Sequence, residues 1–281
     1  MEFAQLLLSP PVLALLGLCI GSFLNVVIHR LPLMLERGWK IDSAEMLDVK
    51  ADVAEPVTLS KPRSRCPSCR HAIAWHENIP LVSYLWLKGR CSACKTRISP
   101  RYPLVEVLTA VLFAAIGWRF GAQPEVLVWC TFVAVLVALA VIDWDTTLLP
   151  DNLTLPLLWA GLVASALGWT IPLAQSLWGA VAGYLSLWSV YWMFKLATGK
   201  EGMGHGDFKL LAALGAWLGW QLILPVVLGA SVLGAAVGIA MKAGRTLREG
   251  RYVPFGPFLA GGGFVVIMVG LPTVLGWIGW A

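Results

Sequence analysis

The sequence predicts an all-α, polytopic membrane protein with one water-exposed loop domain, and three observations carry that prediction. Of 281 residues, 58% are hydrophobic, and the mean hydropathy is +0.74. Only 13% are charged, against about 25% in soluble globular chains, which is too few to cover a soluble fold of this length. The charges are also clustered, with 20 of the 37 inside residues 29–102. Collagenous, disordered and small disulfide-stapled classes are excluded as well, because the apolar content is too high and six cysteines are too few.

A helix needs roughly 20 apolar residues to cross about 30 Å of hydrocarbon. Runs of that kind lie near 5–28, 104–121, 126–142, 153–170, 173–194, 208–220, 222–241 and 256–280. They read as about eight transmembrane helices, or seven if 208–241 forms one bent span. The first run does not read as a cleaved signal peptide: it starts with the acidic Met1-Glu2-Phe3 and continues directly into Gly21-Ser22-Phe23-Leu24-Asn25. The resulting plan is a first transmembrane helix (1–28), a cytoplasmic domain (29–102) and a seven-helix membrane domain (103–281).

Alternation of eight spans places 29–102, 143–152, 195–207 and 242–255 on one face. With Lys209, that face holds 20 of the 21 lysines and arginines, and the opposite face has only Arg119. The positive-inside rule makes the basic face cytoplasmic and points both termini outward. A pI near 9.0 therefore reflects orientation signals, so the expected partner is the lipid bilayer and not nucleic acid. Residues 33–60, charged and mixed, read as a mobile insert ahead of a better-ordered knot.

That knot is marked by Cys66-Pro67-Ser68-Cys69 and, 21 residues later, Cys91-Ser92-Ala93-Cys94. Two CxxC knuckles at this separation suit one tetrahedral zinc bound by Cys66, Cys69, Cys91 and Cys94. Four thiolates leave no open coordination position, so the metal is structural and supplies folding energy to a loop with little core of its own. A redox pair is the competing reading, but no thioredoxin-like pattern accompanies the motif. Disulfides are disfavoured in a reducing cytoplasmic loop. Cys19 and Cys130 sit inside apolar spans as packing residues.

The acids that interrupt apolar sequence carry the chemistry. Asp143 ends one apolar run, ahead of Asp145 and Asp151, and Asp207 opens another after Gly204-His205-Gly206. Both lie at cytoplasmic helix ends, where intramembrane acids tend to mark function. Two close, poorly hydrated aspartates cannot both ionise cheaply, which is the state a carboxylate pair needs for peptide hydrolysis. Gly204 and Gly206 would let backbone approach a bound peptide. Spacing alone also fits interfacial helix caps, and it does not show that the two helices meet. A transporter with Asp143, Asp207 and Glu106 as a proton relay is a rival, opposed by the placement of these acids near one face. A scaffold built on the zinc knot is another, and it leaves the glycine loop unexplained.

Taken together, the motifs resemble those of the type IV prepilin peptidases over nearly the whole chain. They are Gly21-Ser22-Phe23-Leu24-Asn25 with His29-Arg30-Leu31-Pro32, the two CxxC pairs, and Ser99-Pro100-Arg101-Tyr102-Pro103-Leu104-Val105-Glu106. Ile142-Asp143-Trp144-Asp145 with Leu148-Leu149-Pro150-Asp151 follows, then Gly204-His205-Gly206-Asp207-Phe208-Lys209 and Pro254-Phe255-Gly256-Pro257-Phe258. The resemblance implies a GxGD-type aspartic endopeptidase of the bacterial inner membrane, serving type IV pili or type II secretion. Asp143 and Asp207 would be catalytic, with Asp145 and Asp151 as second-tier candidates. The substrates implied are prepilins and pseudopilins, cut after a glycine at the end of a short basic leader and then N-methylated with S-adenosylmethionine. The methyl transfer comes from the resemblance alone, since no glycine fingerprint of the dinucleotide-binding type is present. Gly89 matches a family glycine linked to methylation and also reads as a turn glycine beside the second knuckle.

Glu106 and Lys209 inside spans read as members of a charge pair, as substrate contacts, or as snorkelling side chains. His205 occupies the variable position of its loop and receives no catalytic role. The 15 tryptophans read as an interfacial belt. Asp145, Asp151 and Glu201 are candidates for docking a basic leader among otherwise basic loops.

Overall fold

The computed structural model describes residues 2–53, 55–244, 253–277 and 279. Most of the basic loop 242–255 counted above lies outside the described residues. Among the described residues the regular structure is helical, with two isolated antiparallel bridges, Arg65 to Ala72 and Arg90 to Arg97. The chain divides into two units, Met1–Val126 and Leu127–Ala281.

In the first unit, a short helix α1 (Glu2–Leu7) precedes α2 (Pro10–Met46). Pro10 and Pro11 open α2 where their missing N–H groups cost nothing. The helix continues past the end of its apolar run and through Pro32. Its 37 residues amount to about 55 Å, well beyond the hydrocarbon thickness. Residues 33–46, expected as part of a mobile insert, are therefore the continuation of this helix. An apolar run marks where lipid ends, and a helix need not stop there. The small helix α3 (Val82–Trp86) and the long α4 (Arg101–Phe120) complete the unit.

Small residues let α2 and α4 touch. A Cβ on Gly17 would lie 2.7 Å from the Ala110 Cα, and one on Gly21 2.7 Å from the Glu106 Cα. Close backbone approach through glycine is how helices associate where lipid supplies no hydrophobic drive. Asn25 Nδ2 donates to the Tyr102 carbonyl at 3.0 Å, and Arg30 donates to the carbonyls of Thr58 and Pro62, both at 2.8 Å. The N-terminal signature thus ties α2 to α4 and straps part of the loop.

The second unit contains α5 (Val126–Thr146, all but its first residue), α6 (Asp151–Ala166), α7 (Leu173–Thr198), α8 (His205–Leu218), α9 (Ile223–Ala243), α10 (Gly256–Val269) and α11 (Leu271–Trp277). Its centre is α8, in which 11 of 14 residues are buried. Trp217 Nε1 donates to the Leu157 carbonyl of α6 at 2.8 Å, and its ring lies 4.6 Å from Phe132 of α5. Gly161 makes room for that indole. From α7, the Ser176 hydroxyl donates to the Ala216 carbonyl at 2.5 Å. A helix apolar on every side is one that other helices surround.

Each of the eight apolar runs is helical, and the last is broken into α10 and α11 by Gly270 at φ +89°. Among the described residues, four helical segments are both long and apolar enough to cross a membrane: α2, α4, α5, and 220–243 around α9. α10 is apolar but has 14 residues, about 21 Å and short of a full crossing.

Candidate active site and metal centre

Asp143 sits in the last turn of α5. The helix closes at Thr147, which takes φ +55° and donates its N–H to the Asp143 carbonyl at 2.8 Å. The Asp143 side chain is buried, and its Oδ2 accepts the N–H of Gly256, the first residue of α10, at 2.9 Å. Free N–H groups at a helix start favour a carboxylate. Pro257, next in line, has no N–H to offer. Position 256 also has to be glycine, because a Cβ there would lie 2.6 Å from Asp143 Oδ2.

Asp207 is the third residue of α8, one turn after Gly204, and is buried. Its Oδ1 is buried without a hydrogen-bond partner. A buried carboxylate oxygen left unpaired is uncommon and is found where reacting groups or ordered water belong. The charge of Asp143 is near enough to act on Asp207, so the fold brings together two acids 64 positions apart in sequence. Leu149 packs between the start of α8, which carries Asp207, and the start of α10, which holds Asp143 through Gly256. A Cβ on Gly206 would meet Leu149 Cβ at 2.7 Å, and one on Gly256 would meet Leu149 Cδ2 at 3.2 Å.

The second-tier acids sit outside this buried pair. Asp145 and Asp151 are exposed. Asp151 accepts from Lys209 Nζ through both carboxylate oxygens at 2.7 Å, which accounts for the lysine near the start of α8. Glu201 is paired with Lys195 at 2.8 Å, which holds its carboxyl below the usual range. Two of the three acids considered for leader docking are thus already partnered by lysines. His205 rests with its ring 5.1 Å from Tyr191 and 5.4 Å from Phe208, and so helps fix the turn that presents Asp207. The roles of Gly256 and Leu149 escape sequence reading: Gly256 and Asp143 are 113 residues apart.

In the first unit, Cys66, Cys69, Cys91 and Cys94 converge, with all four Sγ atoms within 4.8 Å of one another. The Cys66–Cys94 and Cys69–Cys91 separations are 3.7 and 3.9 Å. Four sulfurs at the corners of a tetrahedron with bonds of about 2.3 Å stand about 3.8 Å apart, so the set fits one metal ion. The two knuckles share one geometry. Cys66 N–H donates to His71, and Arg70 takes φ +58°; Cys91 N–H donates to Thr96, and Lys95 takes φ +60°. Thr96, through its hydroxyl and backbone, draws the Cys94 thiol down to about 6. Cys69 is favoured as thiolate by a backbone bond from His71, but desolvation and its three sulfur neighbours push it up to about 11. Thiolates this close repel until a cation sits between them.

Gly89 takes φ +65° and would press a Cβ to 2.9 Å from the Tyr84 ring. Its N–H donates to Tyr84, and its carbonyl accepts from Ile98. The chain's own side chain fills the space beside it, so Gly89 is the turn that delivers the second knuckle.

Comparison with known proteins places the chain in a family. Residues 15–120 match the profile of the bacterial peptidase A24 N-terminal domain, and residues 130–239 match that of the type IV leader peptidase family. A prepilin leader peptidase/N-methyltransferase of Pseudomonas putida is 52% identical over 255 residues, covering 91% of this chain and 88% of the relative. Proteins of the same name from Stutzerimonas stutzeri and Neisseria gonorrhoeae are 51% and 47% identical, each covering 91% or 92% of this chain and 89% or 91% of the relative. No solved structure matches. With half of its residues shared across nine-tenths of its length and both family profiles matched, this chain belongs to the type IV leader peptidase family.

Proposed function

We propose that the chain is a membrane aspartic endopeptidase that removes the basic leader of prepilins and pseudopilins after a glycine, and then N-methylates the new amino terminus. The observation that carries the proteolytic half is the meeting of Asp143 and Asp207 in a buried place, with one Asp207 oxygen unpartnered. Hydrolysis needs one carboxyl with a proton and one without, and adjoining buried carboxyls hold that combination. The ionised member takes a proton from water as the oxygen attacks the scissile carbonyl, and the other donates its proton to the carbonyl oxygen. Collapse of the tetrahedral species breaks the C–N bond, and the amine leaves with a proton returned by the first carboxyl. Gly256 orients Asp143 through its N–H, and Leu149 spaces the start of α10 from the start of α8.

The metal is zinc, held by Cys66, Cys69, Cys91 and Cys94 in a closed structural site. S-adenosylmethionine, when bound, supplies an electrophilic methyl group to the new amine. No residue is assigned to it, and Gly89 acts on methylation through the knuckle it shapes. The topology is eight spans in a bacterial inner membrane, partitioned as 1–28, 29–102 and 103–281, with both termini outward. The 20 of 21 basic residues on one face support a cytoplasmic site, at which a substrate helix can stay in the bilayer.

The test is cleavage of a prepilin by wild-type protein, Asp143→Asn and Asp207→Asn, with methylation of pre-cleaved substrate followed in parallel. Each variant is expected to lose cleavage and keep methylation. A variant that cleaves at near wild-type rate removes that residue from the pair.

A further inference from the structure

The loop domain carries an apolar stripe that the peptidase reading does not use. Along Trp75, Ile79, Val82, Leu85 and Trp86 the side chains are exposed, Trp75 by 77% and Trp86 by 71%. Positions 82, 85 and 86 follow helical spacing, so they share one face of α3. The other face is engaged: Ser83 is buried and donates to the Ile79 carbonyl at 2.8 Å, and the Tyr84 hydroxyl donates to the Ile98 carbonyl. The stripe is thus a presented surface on a segment whose other side is packed.

Its depth is set by a second observation. Leu81 adopts φ +58° with ψ −46°, a strained turn in which Val82 N–H donates to the Pro80 carbonyl at 2.5 Å. In that turn the Leu81 N–H donates at 2.7 Å to the carboxylate of Glu106, a buried residue of α4. Glu106 lies five residues after Arg101, the start of α4, about 7.5 Å along the helix axis. Helices that lie in the membrane interface sink their apolar face about 5–10 Å into the boundary between headgroups and acyl chains. Lys88 and Arg90 follow α3 directly and are exposed, as a surface facing anionic headgroups requires.

We infer that residues 75–86 form an interfacial contact surface for anionic phospholipid at the leaflet where α4 begins, and that Glu106 holds the segment at that depth. The Glu106 carboxylate is a positioning group: it binds a strained backbone turn and so lays Val82, Leu85 and Trp86 against lipid. The inference rests on the membrane-spanning reading of α4 and is independent of the peptidase chemistry.

The experiment places a photoreactive benzoylphenylalanine at Trp86, and separately at Leu85, in the full chain reconstituted in nanodiscs. Val111, exposed on the apolar α4, serves as the control for labelling. The expected product at 86 carries the mass of one phospholipid and is several-fold more abundant with phosphatidylglycerol than with phosphatidylcholine alone. Crosslinks to residues 127–281, no adduct at 85 or 86 while Val111 labels, or equal yield in both lipids would overturn the inference. Glu106→Leu is expected to lower the yield at 86 several-fold with metal content unchanged, and Glu106→Gln, which keeps an acceptor, to retain it. An unchanged yield in Glu106→Leu would remove the tether from the argument.

Discussion

Gly256→Ala isolates one contact of the acid pair. The added methyl would lie 2.6 Å from Asp143 Oδ2, 3.2 Å from its Cγ and 3.2 Å from Leu149 Cδ2. The first distance is about 1 Å inside ordinary contact, so the carboxylate must swing off or α10 must withdraw. Either way the 2.9 Å bond from Gly256 N–H is lost. A hydrogen bond to a charged group is worth about 1.5–3 kcal/mol, which corresponds to roughly a ten- to hundredfold drop in kcat. Gly256 opens α10 and lies outside the helix interior where alanine is favoured, so the clash lowers stability as well as activity. Cleavage should fall while methylation of pre-cleaved substrate is kept, which a general folding defect would not produce. Gly261→Ala on the same helix meets nothing within 4 Å and serves as control. The assay is steady-state cleavage of a prepilin alongside thermal unfolding and methylation of pre-cleaved substrate. Cleavage within twofold of wild type in Gly256→Ala would refute the assignment of this N–H to Asp143.

Three further outcomes test other parts of the structure. Cys66→Ser should lower bound metal from one ion per chain to near none and expose residues 60–100 to proteolysis, read by elemental analysis and limited digestion. Glu77 is held at about 2 by the Ser92 side chain, the Ala74 N–H and His71. A depressed pKa gives stability that is present above about 4.5 and lost as pH falls toward 2, so the ease of metal removal from Glu77→Gln by chelator should exceed wild type equally at pH 6 and pH 8. A gap that narrows between pH 8 and pH 6 would place the titration higher than these bonds permit. Lys209→Met breaks a partly exposed ion pair with Asp151, worth about 0–1 kcal/mol, so kcat/KM for cleavage should stay within about fivefold of wild type. A hundredfold loss would mean that Lys209 touches substrate.

What could be read in advance and what could not divides along sequence separation. The knuckles were legible because CxxC is a local pattern, and the two halves repeat one turn. Asp143 and Asp207 stand out as candidates because an acid ending or opening an apolar run is conspicuous. Their partners do not: Gly256 comes from a distant helix, and Leu149 is one more leucine in an apolar chain. The extent of α2 was misjudged because hydropathy reports the solvent around a helix and not its backbone. Glu106 illustrates the remaining gap. Its presence within a span demands a partner, but the residue that answers is a backbone N–H in a strained turn 25 positions earlier, which no charge pattern announces.

The wedge formed by Leu149 has a consequence for how this centre can change. One aliphatic side chain meters the gap between the start of α8, which bears Asp207, and the start of α10, which holds Asp143, and the positions facing it are already reduced to hydrogen at Gly206 and Gly256. Volume can therefore be traded among these three positions but not added. In a library randomised at all three, surviving variants should conserve their summed side-chain size, so that an alanine gained at 256 is accompanied by a smaller residue at 149. Selection would then act on the trio as one heritable unit, and single-position scans would understate the variation the centre accepts.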